Sequence, residues 1–292
     1  ASGLDNSPAI AEIGDGPDGA AEVASNEEDA GRGLDGAFES AHADPGYSNV
    51  VAPAPTIANG LPGATNFVPN NVDGDRAAGT LGRYYDITLR NAGTVTLSSA
   101  VTIDNFTVAG AQSQLTVAAN GSLTSLIDIN HMTGIMNVNG TVRSMGDYFF
   151  MSGLLTGTGR VNANFLTSVI GNFAPGTLGT IGNLTIGGNL VMGSGSTYVL
   201  DVGPNNTSDR IVVVADGANA GSANVGGRVA VTPVAGSIIR FGNLYTILTA
   251  EGGVTGAFTA TDISAILRKT FIYNANSVQL RITAVPYASV VT

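Results

Sequence analysis

The stretch that decides the fold is GLLTGTGRVNANFLTSVIGNFAPGTLGTIGNLTIGGNLVMGSGSTYVLDVGPNNTSDRIVVV, residues 153–214. It is followed by GGRVAV (226–231) and FGNLYTILTAEGGVTGAF (241–258). Short apolar strands, Gly and Asn turns and small Ser and Thr residues succeed one another with no helical period between them. This pattern predicts an all-β chain whose strands stack into an open-ended β-solenoid.

A weak internal repeat upstream supports the same prediction. The segments SQLTVAANGSL (113–123), GIMNVNGTV (134–142) and GLLTGTGRV (153–161) each read as a strand, a glycine-containing turn and a second strand. Leu115, Met136 and Leu155 lie 21 and then 19 positions apart, a spacing typical of solenoid coils. A single coil cannot bury its inward side chains, whereas coils stacked about 4.8 Å apart pair each backbone donor with the next coil. A β-sandwich also shows turn signals every 8–12 residues, so periodicity alone leaves it as an alternative.

The alternation of apolar and polar residues predicts which side chains point into the solenoid. The predicted inward positions are Ile103, Phe106, Val108, Leu115, Val117, Leu123, Ile127, Met136, Val138, Leu155, Val161, Leu184, Ile186, Leu190 and Val191.

Composition divides the chain into three regions. Residues 1–80 form an acidic, irregular segment and a Pro-rich connector, in which Ala20–Ala41 reads as a marginal helix or a solvated linker. Residues 81–196 are predicted to form the solenoid coils. Residues 197–292 contain longer strands, which predict hairpins in a β-sandwich-like cap over the otherwise unpaired last coil.

Charge and cysteine content exclude several classes of function. The formal net charge is −10, and residues 1–45 alone carry eleven acids and one base, so the remainder is formally neutral. No basic patch is available for nucleic acid. The absence of cysteine excludes disulfides, thiolate metal sites and a cysteine nucleophile. No run of about 18 apolar residues predicts a membrane span, and the start of the chain does not resemble a signal sequence, so the chain reads as mature or as a processed fragment.

Candidates for catalysis or metal binding are few. The two histidines are His42, in the acidic segment, and His131, which is expected to be exposed or to lie at a corner. The aspartates that a polysaccharide-cleaving site would need are scattered, and Asp128 and Asp147 come nearest to sharing one coil position. The Asp15–Asp18 and Asp73–Asp75 pairs match no calcium loop and read as turns. The sequence therefore predicts a non-enzymatic chain without a metal or cofactor.

Several segments, in this order, resemble the C-terminal passenger region of bacterial autotransporters. They are GTGRVNANFLTSVIGNFAPG, IGNLTIGGNLVMGSGSTYVLDV, NNTSDRIVVV with GGRVAV, YTILTAEGGVTGAF and the final YASVVT. The resemblance covers roughly Asp86–Thr292. It implies a right-handed parallel β-helix that ends in a cap promoting folding during export, and display outside the cell by an outer-membrane barrel that lies beyond this chain.

The function expected from this resemblance is a rigid, non-catalytic stalk at the cell surface. Its partners would be its own barrel and, beyond that, a host surface, extracellular matrix or copies of itself. The alternatives are the stalk of a serine protease autotransporter whose catalytic domain lies upstream, or a β-helical enzyme acting on polysaccharide. The residues expected to pack the folding cap are Leu200, Ile211, Val213, Val229, Tyr245, Ile247, Leu248, Phe258, Phe271 and Leu280.

Overall fold

The computed structural model describes residues 11–13, 79 and 85–285. These residues form 23 β-strands and one short 3₁₀ helix, Pro204–Asn206. The helix predicted as one possibility for Ala20–Ala41 lies outside the described residues. In chain order the strands are β1 (Ala11–Ile13), β2 (Asp86–Leu89), β3 (Gly93–Leu97), β4 (Ala100–Ile103), β5 (Asn105–Val108), β6 (Ser113–Val117), β7 (Ser122–Ser125), β8 (Ile129–His131), β9 (Ile135–Val138), β10 (Thr141–Ser144), β11 (Tyr148–Phe150), β12 (Leu154–Gly157), β13 (Arg160–Ser168), β14 (Asn172–Pro175), β15 (Asn183–Met192), β16 (Thr197–Val202), β17 (Arg210–Val214), β18 (Ala223–Val225), β19 (Arg228–Pro233), β20 (Leu244–Ala250), β21 (Val254–Gly256), β22 (Leu267–Asn274) and β23 (Ser277–Ala284).

The strands stack in parallel into a solenoid with three faces. Face one is a seven-stranded sheet in the order β3-β6-β9-β12-β14-β16-β19. Face two contains β4, β7, β10, the first parts of β13 and β15, β17 and β20. Face three contains β2, β5, β8, β11, the second parts of β13 and β15, β18 and β21. The predicted parallel β-solenoid is therefore confirmed.

The predicted repeat is also present as vertical pairing. Leu115 pairs with Met136, and Met136 pairs with Leu155, on successive strands of face one. All three side chains are buried in one continuous apolar core. The repeat is thus set by the requirement that each coil place an apolar side chain on top of the previous one.

Two long strands turn the corner between face two and face three. In β13, Arg160–Asn162 pair with β10, whereas Leu166–Ser168 pair with β11. The pairing of β13 with β15 shifts register at this corner, between Asn162 and Phe165. Gly188 lies at the same corner of β15 with φ 101°, and a Cβ there would overlap the Ala163 carbonyl oxygen, so only glycine fits.

Two of the predicted inward positions are wrong. Ile127 is 50% exposed because it lies in the turn before β8, and Ile129 fills the interior instead. Val191 faces outward because the alternation of β15 continues through its corner, so that Leu190 and Met192 point inward. The other predicted inward side chains are buried.

The prediction of hairpins from residue 197 onward is wrong for most of that region. Strands β16 to β19 and β21 continue the parallel stacking, and so does the pairing of β17 with β20. Among the strands that the structure describes at this end, antiparallel pairing is confined to β23, which pairs with β20 and forms a hairpin with β22. The coils therefore extend past residue 196, because the longer strands still carry alternating inward residues that stack on those of the previous coil.

Candidate functional site: the capped end of the solenoid

The end of the solenoid formed by β16 to β23 buries nearly all the predicted cap residues. Nine of them, including Tyr245 and Phe258, are at most 5% exposed, and Phe271 is half-buried against the same core. Their burial fits a packing role, whereas a role in directing folding stays a prediction.

Tyr198 joins two faces through the interior of this end. Its ring is fully buried, and its hydroxyl donates a hydrogen bond of 2.8 Å to the backbone carbonyl of Ile247. Burial raises the pKa of Tyr198 well above its usual value, so the phenol remains a donor. Tyr198 lies on face one and Ile247 on face two, so one side chain fixes the distance between them.

An aromatic cluster closes the space above Tyr198. The ring of Phe258 lies 6.4 Å from that of Tyr198 and 5.4 Å from that of Phe271. The backbone amide of Phe258 donates to the Tyr273 hydroxyl at 2.8 Å. The segment after β21 is therefore held to the β22–β23 hairpin by both apolar and polar contacts.

Lys269, the only lysine of the chain, terminates face one. Its side chain is 7% exposed, and its Nζ donates to the carbonyl oxygen of Val229 on β19 at 2.6 Å. Next to this contact, the Thr259 amide donates to the Gly227 carbonyl at 2.7 Å, and Pro233 ends the strand without a donor. Burial and the nearby Arg228 lower the pKa of Lys269. A buried cation and a proline are typical means of blocking an edge strand.

Two buried carboxylates brace the loop between β14 and β15. Asp201 accepts from the Gly179 amide at 2.6 Å, while Asp209 accepts from the amides of Gly182 and Asp201 at 2.8 and 2.9 Å. Both side chains are 1% exposed. Burial raises the pKa of Asp209 to about 7, against the lowering effect of its two hydrogen bonds. The sequence analysis missed this pair, although an aspartate inside the apolar runs YVLDV and SDRIVVV is the signal that could have found it.

His131 is buried, not exposed or at a corner as predicted. The ring stacks on Phe150 with centroids 4.4 Å apart, and its nitrogens lie 3.1 Å from the Tyr148 hydroxyl and 3.2 Å from the Gly134 carbonyl. Burial lowers its pKa to about 4, so the ring is neutral at pH 7. The prediction failed because a histidine at an inward strand position can be satisfied by one tyrosine and one carbonyl.

Asp128 and Asp147 stack at the same corner of successive coils, so the expectation that they are scattered is wrong for this pair. The Asp147 amide donates to Asp128 Oδ1 at 2.8 Å, and the Phe165 amide donates to Asp147 Oδ1 at 3.2 Å. Asp104, which occupies the corresponding corner of an earlier coil, accepts from the Tyr85 amide at 2.7 Å. Each carboxylate thus satisfies a backbone amide at a turn between face two and face three.

An open cleft of about 440 Å³ lies outside the same corner, beneath the turn Asp216–Asn219. The carboxylate of Asp216 accepts hydrogen bonds from both terminal nitrogens of Arg143, at 3.0 and 3.1 Å. Its Oδ1 also lies 3.7 Å from Nη2 of Arg160. Asn219 donates to Asn164 Oδ1 at 3.1 Å, so the polar groups lining the cleft are bonded largely to one another. The turn therefore ties a late coil to coils formed about 70 residues earlier.

The described residues hold no group of three or more His, Cys, Asp or Glu side chains that could bind a metal ion. Among the same residues, no helix has the length and apolarity needed to cross a membrane. The candidates His42, Asp15–Asp18 and Asp73–Asp75 lie outside the described residues.

No family model matches the chain. Over 171 residues the chain is 34% identical to an extracellular serine protease of Serratia marcescens. The match covers 58% of this chain and 16% of the relative, so the chain is similar to a small part of a much longer secreted protein.

Proposed function

We propose that this chain is part of the passenger region of an autotransporter, in which it forms a non-catalytic stalk ending in a folding cap. The observation that carries the proposal is the closed end of the solenoid, where Tyr198, Phe258 and Lys269 complete the last coil. At this end Lys269 and Pro233 block the edge of β19, and β23 covers β20, so the last parallel strands of faces one and two are protected from further pairing.

The comparison supports export to the outside of the cell. The Serratia relative is an extracellular protein, and the motif order of residues 153–258 resembles that of autotransporter passengers. The partner that follows is an outer-membrane barrel of the same polypeptide, through which the chain would pass unfolded. A cap that folds as it emerges would then template each coil on the last.

The stalk role is supported by what the polar side chains do. His131, Asp128 and Asp147, the candidates for catalysis, are each engaged with groups that belong to the solenoid itself. Their contacts give each a structural purpose, which is why we propose adhesion or display in place of catalysis.

A narrower proposal concerns the remainder of the polypeptide. Since the relative is a serine protease and this chain matches 16% of it, we propose that the chain supports a protease domain located upstream. Sequencing the gene on both sides of the chain tests this idea: an upstream domain with serine, histidine and aspartate motifs is expected, and a gene without one would refute it.

The competing proposal is a β-helical enzyme acting on polysaccharide, favoured by the stacked Asp128 and Asp147. It requires that Asp128→Asn abolish cleavage of an acidic polysaccharide while the fold persists. The stalk proposal expects no cleavage by the wild-type chain in the first place, measured as release of reducing ends.

The cap is tested by displaying the chain on a Gram-negative host, fused to a signal peptide and an autotransporter barrel. Tyr245→Ala removes a fully buried ring, and we expect the displayed chain to become sensitive to added protease. Thr249→Ala, on the same strand with a half-buried side chain, is the matched control and should stay resistant. Equal resistance of both variants would refute the folding-cap role.

A further inference from the structure

The exposed large apolar side chains of the coils are concentrated on one face. All those between β2 and β15 border face three, except Leu178 and Ile181, which lie in the loop between β14 and β15. Those that border face three are 37–54% exposed. Together with the half-buried Phe149 and Met151 they form what we call the apolar patch: Leu126, Ile127, Met132, Met145, Phe149, Met151, Phe165, Val169 and Ile170.

The patch extends across three coils, along both edges of face three. On one edge of face three, the amides of Met145 and Gly146 donate to the carbonyls of Ser125 and Ile127, which stacks one corner on the next. On the other edge, the amide of Met151 donates to His131 and that of Ile170 donates to Met151. Phe149 lies between the edges, paired with Asn130 below and Thr167 above.

The corresponding positions elsewhere are mostly polar. The column on face three that contains Phe149 reads Thr88, Thr107, Asn130, Phe149, Thr167, Val191, Asn224 and Thr255, so Phe149 and Val191 are its apolar members. On face two, the outward column reads Thr102, Thr124 and Arg143. The apolar patch therefore lies on a surface whose outward columns are built mainly from Thr, Asn and Arg.

The size and charge of the patch indicate what covers it. Seven side chains with about half of their surface exposed give a patch of several hundred Å², the size that marks interaction sites on soluble proteins. Two such patches together approach the area of about 1,200 Å² at the lower limit of stable protein interfaces. The charged groups at its edge are Asp128, Asp147 and, beside Met145, the ion pair of Arg143 with Asp216; their net charge is negative, so an anionic lipid surface would repel them.

We propose that the apolar patch of face three is the surface through which two copies of this chain pair side by side. A flat apolar patch is complementary to itself under a two-fold axis. An axis parallel to the stacking direction places the edge with Asp128 and Asp147 opposite the other edge of the second copy, which keeps the carboxylates apart. The inference does not depend on the proposed function, because it needs only the described surface.

The test is sedimentation velocity of the full chain from dilute to concentrated solution. The wild-type chain should shift reversibly from its monomer mass of 29.4 kDa toward twice that mass. The double variant Met145→Thr/Phe149→Thr restores the polar pattern and should raise the dimer dissociation constant at least about tenfold, as expected when central apolar contacts are lost. Far-UV circular dichroism and a melting curve confirm that the variant is folded.

Leu178→Thr is the matched control, because Leu178 is 64% exposed but lies in the loop between β14 and β15. It should dimerise like the wild-type chain. A wild-type chain that stays monomeric, or a patch variant that dimerises normally, would overturn the proposal. Binding of monomers to zwitterionic vesicles, lost in the patch variant, would also overturn it and assign the patch to lipid.

Discussion

The coils from β3 to β15 and the end from β16 to β23 differ in the spacing of the residues that pair from one coil to the next. In the coils, residues that pair vertically lie 21, 19 and 18 positions apart, from Leu115 through Met136 and Leu155 to Phe173. At the end the spacing lengthens to 25 and then 31 positions, from Phe173 through Tyr198 to Val229. The extra residues of the first step lie in the loop between β14 and β15 and in the long strand β15, and those of the second lie in the loops that carry Asp209 and Asp216.

The two regions are also stabilised in different ways. A coil in the middle is satisfied by neighbours on both sides, so its stability comes from pairing and from apolar stacking. The last coil has a neighbour on one side only and depends on particular side chains, such as Tyr198 and Lys269. Substitutions at the end should therefore act on the whole stack, whereas equivalent substitutions in the coils should act locally.

The largest expected effect comes from Ile247→Ala, compared with Leu155→Ala. Both side chains are fully buried, and losing either should cost roughly 2–5 kcal/mol of unfolding free energy. Hydrogen exchange should rise across all the coils in Ile247→Ala, but mainly in β9, β12 and β14 in Leu155→Ala. The same exchange pattern in both variants would remove the distinction between coils and end.

The next effect depends on pH and arises inside the coils. The pKa of His131 is about 4 in the folded chain and 6.5 in the unfolded chain, so the unfolded chain binds more protons between these values. The contribution of the neutral His131 to the free energy of unfolding is complete above pH 6.5, decreases as the pH falls and is lost below about pH 4. The total is about 3 kcal/mol at 1.36 kcal/mol per pKa unit. Urea unfolding of His131→Phe should lack this acid-dependent loss.

Asp209, at the end, has the opposite dependence and serves as the internal comparison. Its pKa is about 7 when folded and 3.8 when unfolded, so its contribution favours the folded chain at low pH and is lost as the pH rises through 7. In Asp209→Asn the acid-dependent loss from His131 should become larger than in the wild-type chain. An unchanged pH profile in both variants would contradict the two buried environments.

Lys269→Met is expected to destabilise the end by about 1–3 kcal/mol, because the buried Val229 carbonyl loses its donor. The change is measured as a shift in the urea midpoint. Arg281→Met removes an exposed cation from the adjacent strand β23 and should change the midpoint little. Equal shifts would mean that net charge, and not the hydrogen bond, determines the effect.

The coils were more predictable from sequence than the end. The spacing of Leu115, Met136 and Leu155 predicted the vertical pairing, since stacking requires apolar residues at matching positions. Ile127 was misplaced because alternation cannot locate a corner: the side chains of the turn point outward, and the inward alternation of Leu123 and Ser125 resumes at Ile129.

At the end, long alternating strands such as YVLDV could form hairpins or parallel coils, and local pattern does not distinguish the two. The contacts of Lys269 with Val229 and of Asp216 with Arg143 join residues 40 and 73 positions apart. No local periodicity encodes contacts over such distances. The chemistry of the end therefore became visible only in the folded chain.

The smallest expected effect tests whether the surface ion pair between Asp216 and Arg143 stabilises the coils. Asp216→Asn breaks the pair with Arg143, whose side chains are 38% and 20% exposed, so we expect a loss of at most about 1 kcal/mol. The loss should shrink in concentrated salt, because partly exposed charges are screened. Asp262→Asn is the matched control: its pair with Arg268 joins residues only six positions apart and is 43–45% exposed. If Asp216→Asn raises hydrogen exchange in β10 and β13 while Asp262→Asn does not, the turn at Asp216 couples the end to the coils; if neither does, the coupling runs through the core alone.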